Sequence, residues 1–231
     1  MERKIITTAD GSKTIQLVGL DEQYHSLHGA LQEARHVFIK HGLQHVLQSQ
    51  LKQNAPISIL EIGFGTGLNA MVTLFEVKNQ SIKINYVGVE AYPVSKEEVL
   101  ALDYQGLFPD LDSGNLYETI HAIKWEDIHE ITSLFTLQKQ QKFFHEIVDL
   151  NLYNLIYFDA FGARIQPELW TEEIFKIMFD ALKDQGVLVT YSAKGSVRRA
   201  MQAVGFIVER LPGPPGKREM LRATKYPTTP K

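Results

Sequence analysis

One segment limits the folds open to this chain more than any other: ISILEIGFGTGLNA, residues 57–70. Its first six residues form a largely apolar run of strand length, as expected of a strand buried on both faces of a parallel sheet. Gly63, Gly65 and Gly67 follow at alternate positions, and a helical pattern, LNAMVTLFEVKN, begins straight after them. Strand, glycine turn and helix in that order bring backbone N–H groups close to a bound nucleotide.

The rest of the chain extends that unit. IITTADGSKTIQLV has β-branched runs on either side of Asp10-Gly11, a hairpin signal. Leu27, Leu31, Ala34, Phe38, Leu43, Val46 and Leu47 then recur near helical spacing; Gly42 is expected to break this stretch into two helices, and Asn54-Ala55-Pro56 to end it. IKINYVGVE reads as a second strand ending at Glu90, SLFTLQK as a third, LYNLIYFDAF as a fourth and GVLVTYS as a fifth. TEEIFKIMFDALK and GSVRRAMQAV read as helices, and FIVERL and REMLRAT as a closing strand pair joined by PGPPGK. Residues at about 92–133, including SKEEVLALDY and WEDIHEI, read as a helical insertion.

This order predicts an α/β fold: an open, mostly parallel seven-stranded sheet with helices on both faces, an antiparallel C-terminal strand and an N-terminal hairpin and helix extension. The extension is assigned to residues 1–56 and the main domain to 57–231. Ligands bind such sheets beyond the carboxyl ends of the strands, where strand order reverses. Glu61, Glu90, Asp159 and Ser192 stand at those ends.

Composition excludes several classes. No apolar run reaches the length of a membrane span, and the N-terminus lacks the apolar core of a signal peptide, so a cytoplasmic location and no membrane partner are expected. Cysteine is absent, which rules out thiolate metal sites and a cysteine nucleophile; the eight histidines show no ligand spacing, and no metal is expected. The formal charge of -3 hides an asymmetry: residues 192–225 carry eight basic and two acidic side chains, net +6, leaving -9 on the remainder. Such a basic third can grip phosphates or merely decorate a solvated surface.

The glycine turn departs from the dinucleotide fingerprint G-x-G-x-x-G, because Leu68 stands where the third glycine belongs. Glu61, two residues before Gly63, would repel a pyrophosphate and attract the sulfonium and ammonium of S-adenosylmethionine. Glu90 is placed to accept ribose hydroxyls. These features point to S-adenosylmethionine rather than NAD.

The methyl carbon of that donor is already electrophilic, so the chain must align an acceptor and remove a proton. With no thiolate available, an amine acceptor fits. Asp159 can orient an amine and take its proton, provided burial raises its pKa from the ordinary aspartate value of about 3.9. Phe161 and Trp170 can wall a pocket for a flat base, although Trp170 equally suits the core.

Four segments carry a family resemblance: YHSLHGALQEARHVFI (24–39), EIGFGTGLN (61–69), FDAFGARIQPELWT (158–171), and TYSAKGSVRRAMQAVGF with GKREMLRA (190–206, 216–223). The chain resembles the methyltransferase domain of the MnmC family of tRNA wobble-uridine modification enzymes, in a free-standing form. The resemblance implies a Rossmann-like S-adenosylmethionine-dependent fold. It also implies N-methylation of 5-aminomethyl-(2-thio)uridine at the tRNA wobble position, to 5-methylaminomethyl-(2-thio)uridine. Carried over to this sequence, Glu61, Gly63, Phe64, Gly65, Thr66, Gly67 and Asn69 would hold the methionine end, Glu90 the ribose, and Asp159 the acceptor proton. Relatives place a Gly-Asp pair after the third strand to meet adenine, where this chain has LQKQQKFF; Gln140 or Gln141 can serve instead.

Lys194, Arg198, Arg199, Lys217 and Arg218 are read as phosphate contacts for an anticodon stem-loop. Tyr24, Glu33 and Arg35 are candidates for a cover over the donor. The flavin oxidoreductase half of the bifunctional enzymes is expected to be absent, so upstream wobble-uridine enzymes would supply the aminomethyl group. Two rival readings share these residues: a methyltransferase for a small amine or polyamine, and a non-catalytic tRNA-binding module.

Overall fold

The computed structural model describes residues 2–20, 22–50, 55–108 and 115–227; Asn54 of the expected helix stop lies outside them. The chain opens with β1 (Arg3–Thr7), β2 (Lys13–Leu17) and β3 (Glu22–Gln23), a small antiparallel sheet. Its turn is fastened by Asp10, whose carboxylate accepts hydrogen bonds from Ser12 N at 3.1 Å and from Gln32 N at 3.0 Å. The second bond caps the first turn of α1 (Ala30–Ala34) and fixes the hairpin to the helix behind it.

Helix α1 runs without interruption through a π-helical segment, Arg35–Leu43, into α2 (Gln44–Gln50). The break expected at Gly42 does not occur. A Cβ at Gly42 would lie 3.0 Å from Val189 Cγ2 and 3.4 Å from the Tyr157 ring. The glycine lets the helix lie flat on the sheet, and that packing outweighs a propensity cost of about 1 kcal/mol.

The large sheet is built from β4 (Ile57–Ile62), β5 (Ile84–Val89), β6 (Ile128–Thr132), β7 (Phe135–Gln140), β8 (Tyr153–Phe158), β9 (Leu182–Thr190), β10 (Ile207–Pro212) and β11 (Glu219–Thr224). Its order is β10-β11-β9-β8-β4-β5-β7-β6. The five strands from β9 to β7 are parallel, while β11 runs antiparallel to both β9 and β10. Strand order reverses at β4, which pairs with β5 on one side and β8 on the other.

The described residues thus form eight strands in this sheet rather than seven. The added one is β6, within the segment WEDIHEI that reads as helical, and it pairs antiparallel with β7. Its residues are mostly exposed or half-buried, so no hydrophobic alternation marks it; pairing with β7 makes it a strand. Among its described residues the insertion also holds α4 (Lys96–Leu102), a short 3-10 turn and α5 (Leu116–Ala122). Ser95 and Glu98 form a reciprocal capping box that starts α4.

Helices cover both faces. On one, Ile57, Ile59, Tyr157 and Val189 meet Val37, Phe38 and Leu43 of the N-terminal helix and Met71 and Leu74 of α3 (Leu68–Val77). On the other, Leu60, Ile62, Ile156 and Phe158 meet α6 (Glu172–Ala181) and α7 (Gly195–Ala203) through Phe175, Met178, Val197 and Met201. Each fully buried Leu, Ile or Phe contributes about 1.5–3 kcal/mol, so these layers hold the strand ends in register. Among the described residues no helix is long and apolar enough to cross a membrane.

Candidate active site

The carboxyl ends of β4, β5 and β8 meet at the glycine turn. Gly63 N and Phe64 N both donate to Val89 O at 3.0 Å, and Asp159 N donates to Ile62 O at 2.9 Å. Gly63 adopts φ +87°, and a Cβ there would fall 2.7 Å from the Asp159 carbonyl oxygen. Only glycine allows this approach, and it brings Asp159 beside the turn.

Beneath the turn lies a buried polar chain. Glu61 is 1% exposed; Asn69 Nδ2 donates to its Oε1 at 2.9 Å and Tyr86 OH to its Oε2 at 2.8 Å. Burial pushes the Glu61 carboxyl well above the ordinary carboxylate range, against the pull of those two hydrogen bonds and with added repulsion from Asp159 and Glu90. The expected picture of Glu61 as a carboxylate facing a bound cation is therefore replaced: it is sealed below the turn and holds Asn69. Asn69 Nδ2 also donates to Asp159 Oδ2 at 2.8 Å, while its Oδ1 is buried with no hydrogen-bond partner.

Asp159 itself is half-buried. Burial is the largest influence on its carboxyl and Glu33 adds to it, while Asn69 and Lys217 oppose them; the pKa is pushed up to about 7. The sequence left open whether an aspartate here has the proton affinity of a useful base. Tertiary burial raises that affinity.

Glu90 turns back onto the loop, accepting from Gly65 N at 3.0 Å and Tyr92 N at 2.9 Å. Its backbone N–H donates to the carbonyl of Gln140 at the end of β7. Of the two glutamines, Gln140 has a buried Oε1 without a partner, whereas Gln141 is exposed and its N–H donates to Glu126 at 2.8 Å. Two exposed aromatics missed by sequence reasoning stand here: Tyr92, 62% exposed, packs its ring against Phe143 at 6.0 Å. Their signal was present, since each follows a strand-end residue by two or three positions.

The N-terminal segment covers the turn. The Tyr24 ring packs on Gly65, where a Cβ would lie 3.2 Å away, and meets Phe161 edge-on at 4.9 Å. His25 Nε2 lies 2.7 Å from Thr66 Oγ1, and burial lowers the His25 pKa to about 4. The other two cover candidates diverge: Arg35 stacks on Phe75, away from the turn, while Glu33 forms an ion pair with Lys217.

Two sequence expectations need correction. Trp170 is 5% exposed, and its Nε1 donates to Phe161 O at 2.8 Å, so it braces Phe161 from within the second core instead of walling a pocket. Lys217 does not point outward to phosphate; its ammonium meets Glu33 and sits 3.8 Å from the centre of the Tyr191 ring. Its neighbour Arg218 is 90% exposed, loosely paired with Glu219 at 3.7 Å. Lys194 and Arg199 are exposed and Arg198 half-buried, all in or beside the first turns of α7.

A separate cavity of about 410 Å³ lies behind the turn, between α4, α5 and β7, sharing only Phe64 and Gly65 with it. The buried Lys139 at its edge donates to His121 O at 2.6 Å and lies 4.8 Å from the Trp125 ring centre, which ties α5 to the sheet. Among the described residues no cluster of three or more His, Asp or Glu could hold a metal ion.

Residues 122–226 match a family model described as S-adenosyl-L-methionine-dependent methyltransferase. Over that stretch the chain is similar to S-adenosyl-L-methionine-dependent methyltransferases. The chain is 29% identical over 228 residues to the tRNA 5-methylaminomethyl-2-thiouridine biosynthesis bifunctional protein MnmC of Leptospira borgpetersenii, covering 90% of this chain and 33% of that protein. The protein of the same name from Polaromonas naphthalenivorans is also 29% identical, with 95% and 35% covered. The chain thus spans about a third of the length of these curated relatives. Among solved structures, MNMC2 from Aquifex aeolicus matches with a TM-score of 0.75 and 25% identity, over all of this chain and 72% of that one. Spermidine synthase from Thermotoga maritima shares the fold, with a TM-score of 0.58, 18% identity, and 96% and 69% covered.

Proposed function

We propose that the chain is an S-adenosylmethionine-dependent methyltransferase that methylates the exocyclic amine of a 5-aminomethyl-(2-thio)uridine at the tRNA wobble position, giving the methylaminomethyl product. The observation that carries this reading is Asp159, a half-buried carboxyl at the mouth of the turn whose pKa is pushed up to about 7. A base of that strength suits removal of a proton from an amine at neutral pH. Similarity to MnmC and MNMC2 over nearly the whole chain supports the same acceptor.

The donor, when bound, supplies an electrophilic methyl group. The residues present fit it. Helix α3 begins at Gly67 with no side-chain cap, so its first N–H groups can receive the donor's carboxylate. The orphaned Asn69 Oδ1 is an acceptor for its ammonium, and Glu90 for its ribose hydroxyls. Gln140 Oε1 is an acceptor for the adenine amino group, a better candidate than the exposed Gln141. Phe64 and Thr66 shape the turn, with His25 and Tyr24 closing over it.

Asp159 accepts a hydrogen bond from the acceptor amine and orients its lone pair toward the methyl carbon. Asp159 would take the proton that the amine nitrogen loses on methylation. Such base assistance is worth about 10²–10⁴-fold in rate. Asn69 keeps the carboxyl aimed, and Tyr24 and Phe161 form apolar walls beside it.

A base inside folded RNA cannot reach this recess, so the wobble nucleotide must be splayed out of its loop. Lys194, Arg198, Arg199 and Arg218 would grip the anticodon stem-loop through phosphate. The aminomethyl group must already be on the wobble uridine before methyl transfer. The test is methyl transfer to tRNA bearing aminomethyl-uridine, compared with the same tRNA lacking that group and with free polyamines. Transfer only to the aminomethylated tRNA is expected; preference for free amines would overturn the RNA acceptor.

A further inference from the structure

Glu33 and Lys217 lie 184 positions apart, yet they form one ion pair at the edge of the site. Each is held firmly. Ser26 N donates to Glu33 Oε2 at 3.1 Å. Lys217 comes from a tight loop: its N–H donates to Pro214 O at 2.9 Å, Gly213 N donates to Arg218 O at 3.1 Å, and His28 packs against Gly216. His36 fastens the same loop to the N-terminal helix through Pro212 O at 2.8 Å. The Lys217 ammonium rests on Tyr191, whose hydroxyl donates to Ala160 O at 2.8 Å, one residue beyond Asp159.

We propose that Glu33 and Lys217 are an opposed pair of positioning residues that set the proton affinity of Asp159 during methyl transfer. The inference rests on the acceptor-base reading of Asp159 and adds the pair that controls it. The titratable groups that feel Asp159 or act on it come from several elements, Glu33 from α1, Glu61 from β4, Tyr86 from β5, Tyr191 after β9 and Lys217 from the last loop, with His25 coupled to Glu33 and Lys217 in turn, while the neutral Asn69 of α3 donates a hydrogen bond to it at 2.8 Å. Of these, Glu33 is the added anion that favours a proton on Asp159, and Lys217 the cation that disfavours it. Pairing the two keeps either from dominating. The carboxyl is then neither so acidic that it cannot take an amine proton nor so basic that it is already protonated at neutral pH.

The experiment is the pH profile of kcat/KM for methyl transfer by wild type, Glu33→Gln, Lys217→Met and Lys217→Arg. Glu33→Gln should move the acidic limb about one unit lower, and Lys217→Met about one unit higher. Lys217→Arg, which keeps the charge, should overlay wild type. Coincident limbs, or limbs displaced in the same direction, would overturn the proposal, because loss of packing alone lowers rates without moving limbs in opposite senses. If Lys217→Met does not fold, Lys217→Gln, which retains a hydrogen bond to Glu33, is read in its place by the same criterion. Titration of the ¹³C-labelled Asp159 carboxyl by NMR gives the same readout without turnover. An inactive wild type would therefore count against the acceptor, while unmoved Asp159 titrations would count against the pair.

Discussion

Glu61 and Glu90 end adjacent parallel strands, and both read from the sequence as acids awaiting the same ligand. The fold gives them opposite surroundings. Glu61 is sealed beneath the glycine turn, with Tyr86 and Asn69 donating to it. Glu90 curls over the turn's outer side, its carboxylate on the backbone N–H groups of Gly65 and Tyr92. The contrast separates a floor, where buried hydrogen bonds fix the aim of Asn69 and Asp159, from a mouth, where a half-buried carboxylate is held by backbone N–H groups. Carboxylates at strand ends can serve either region, and burial decides which.

The sharpest way to break this division is at Asp159, where floor and mouth meet. Asp159→Ala should slow methyl transfer by about 10²–10⁴-fold with little change in donor affinity, measured by single-turnover kinetics and calorimetry. Wild-type turnover would remove Asp159 from the mechanism. The same carboxyl makes a stability prediction. Its folded pKa of about 7 lies above the unfolded value, so the native state holds the proton more tightly. That contribution is fully present below about pH 4 and is lost as pH rises through about 7. Asp159→Asn should therefore raise the unfolding free energy at pH 8, on the order of 2 kcal/mol, and much less at pH 4, as denaturant unfolding would show.

Floor and mouth should next come apart in paired substitutions. Glu61→Gln sets an amide against two donors, Tyr86 and Asn69, and should cost about 1–3 kcal/mol in denaturant unfolding. Glu90→Gln should leave the unfolding midpoint almost unchanged while weakening donor binding about tenfold. A midpoint shift of equal size in both variants would erase the distinction. The smallest effect belongs to the rim: Arg218→Ala should weaken tRNA binding only a few-fold and reduce the slope of log affinity against log salt by about 0.9. An unchanged slope would remove Arg218 from the phosphate contacts.

Much of the fold was legible because it depends on local pattern. The apolar runs of β4, β5, β8 and β9, the glycine turn and the amphipathic α6 and α7 carry their own signals. The failures share a cause. Strand β6 and the unbroken helix through Gly42 are settled by neighbours distant in sequence, β7 in one case and Val189 with Tyr157 in the other. In the site, Trp170 and Lys217 misled for the same reason. The tryptophan's polar edge is taken by the Phe161 carbonyl, and the lysine's charge by a glutamate from the other end of the chain.

The amino-acid sequence alone determined that strands end in carboxylates around a glycine turn, because strand length, glycine spacing and residue type are local properties. Whether each carboxylate would be sealed in, turned onto backbone N–H groups or raised in proton affinity was decided only in three dimensions. Proton affinity depends on desolvation and on charges within a few ångströms, and those neighbours, Glu33, Asn69 and Lys217 around Asp159, are brought together from three separate parts of the chain.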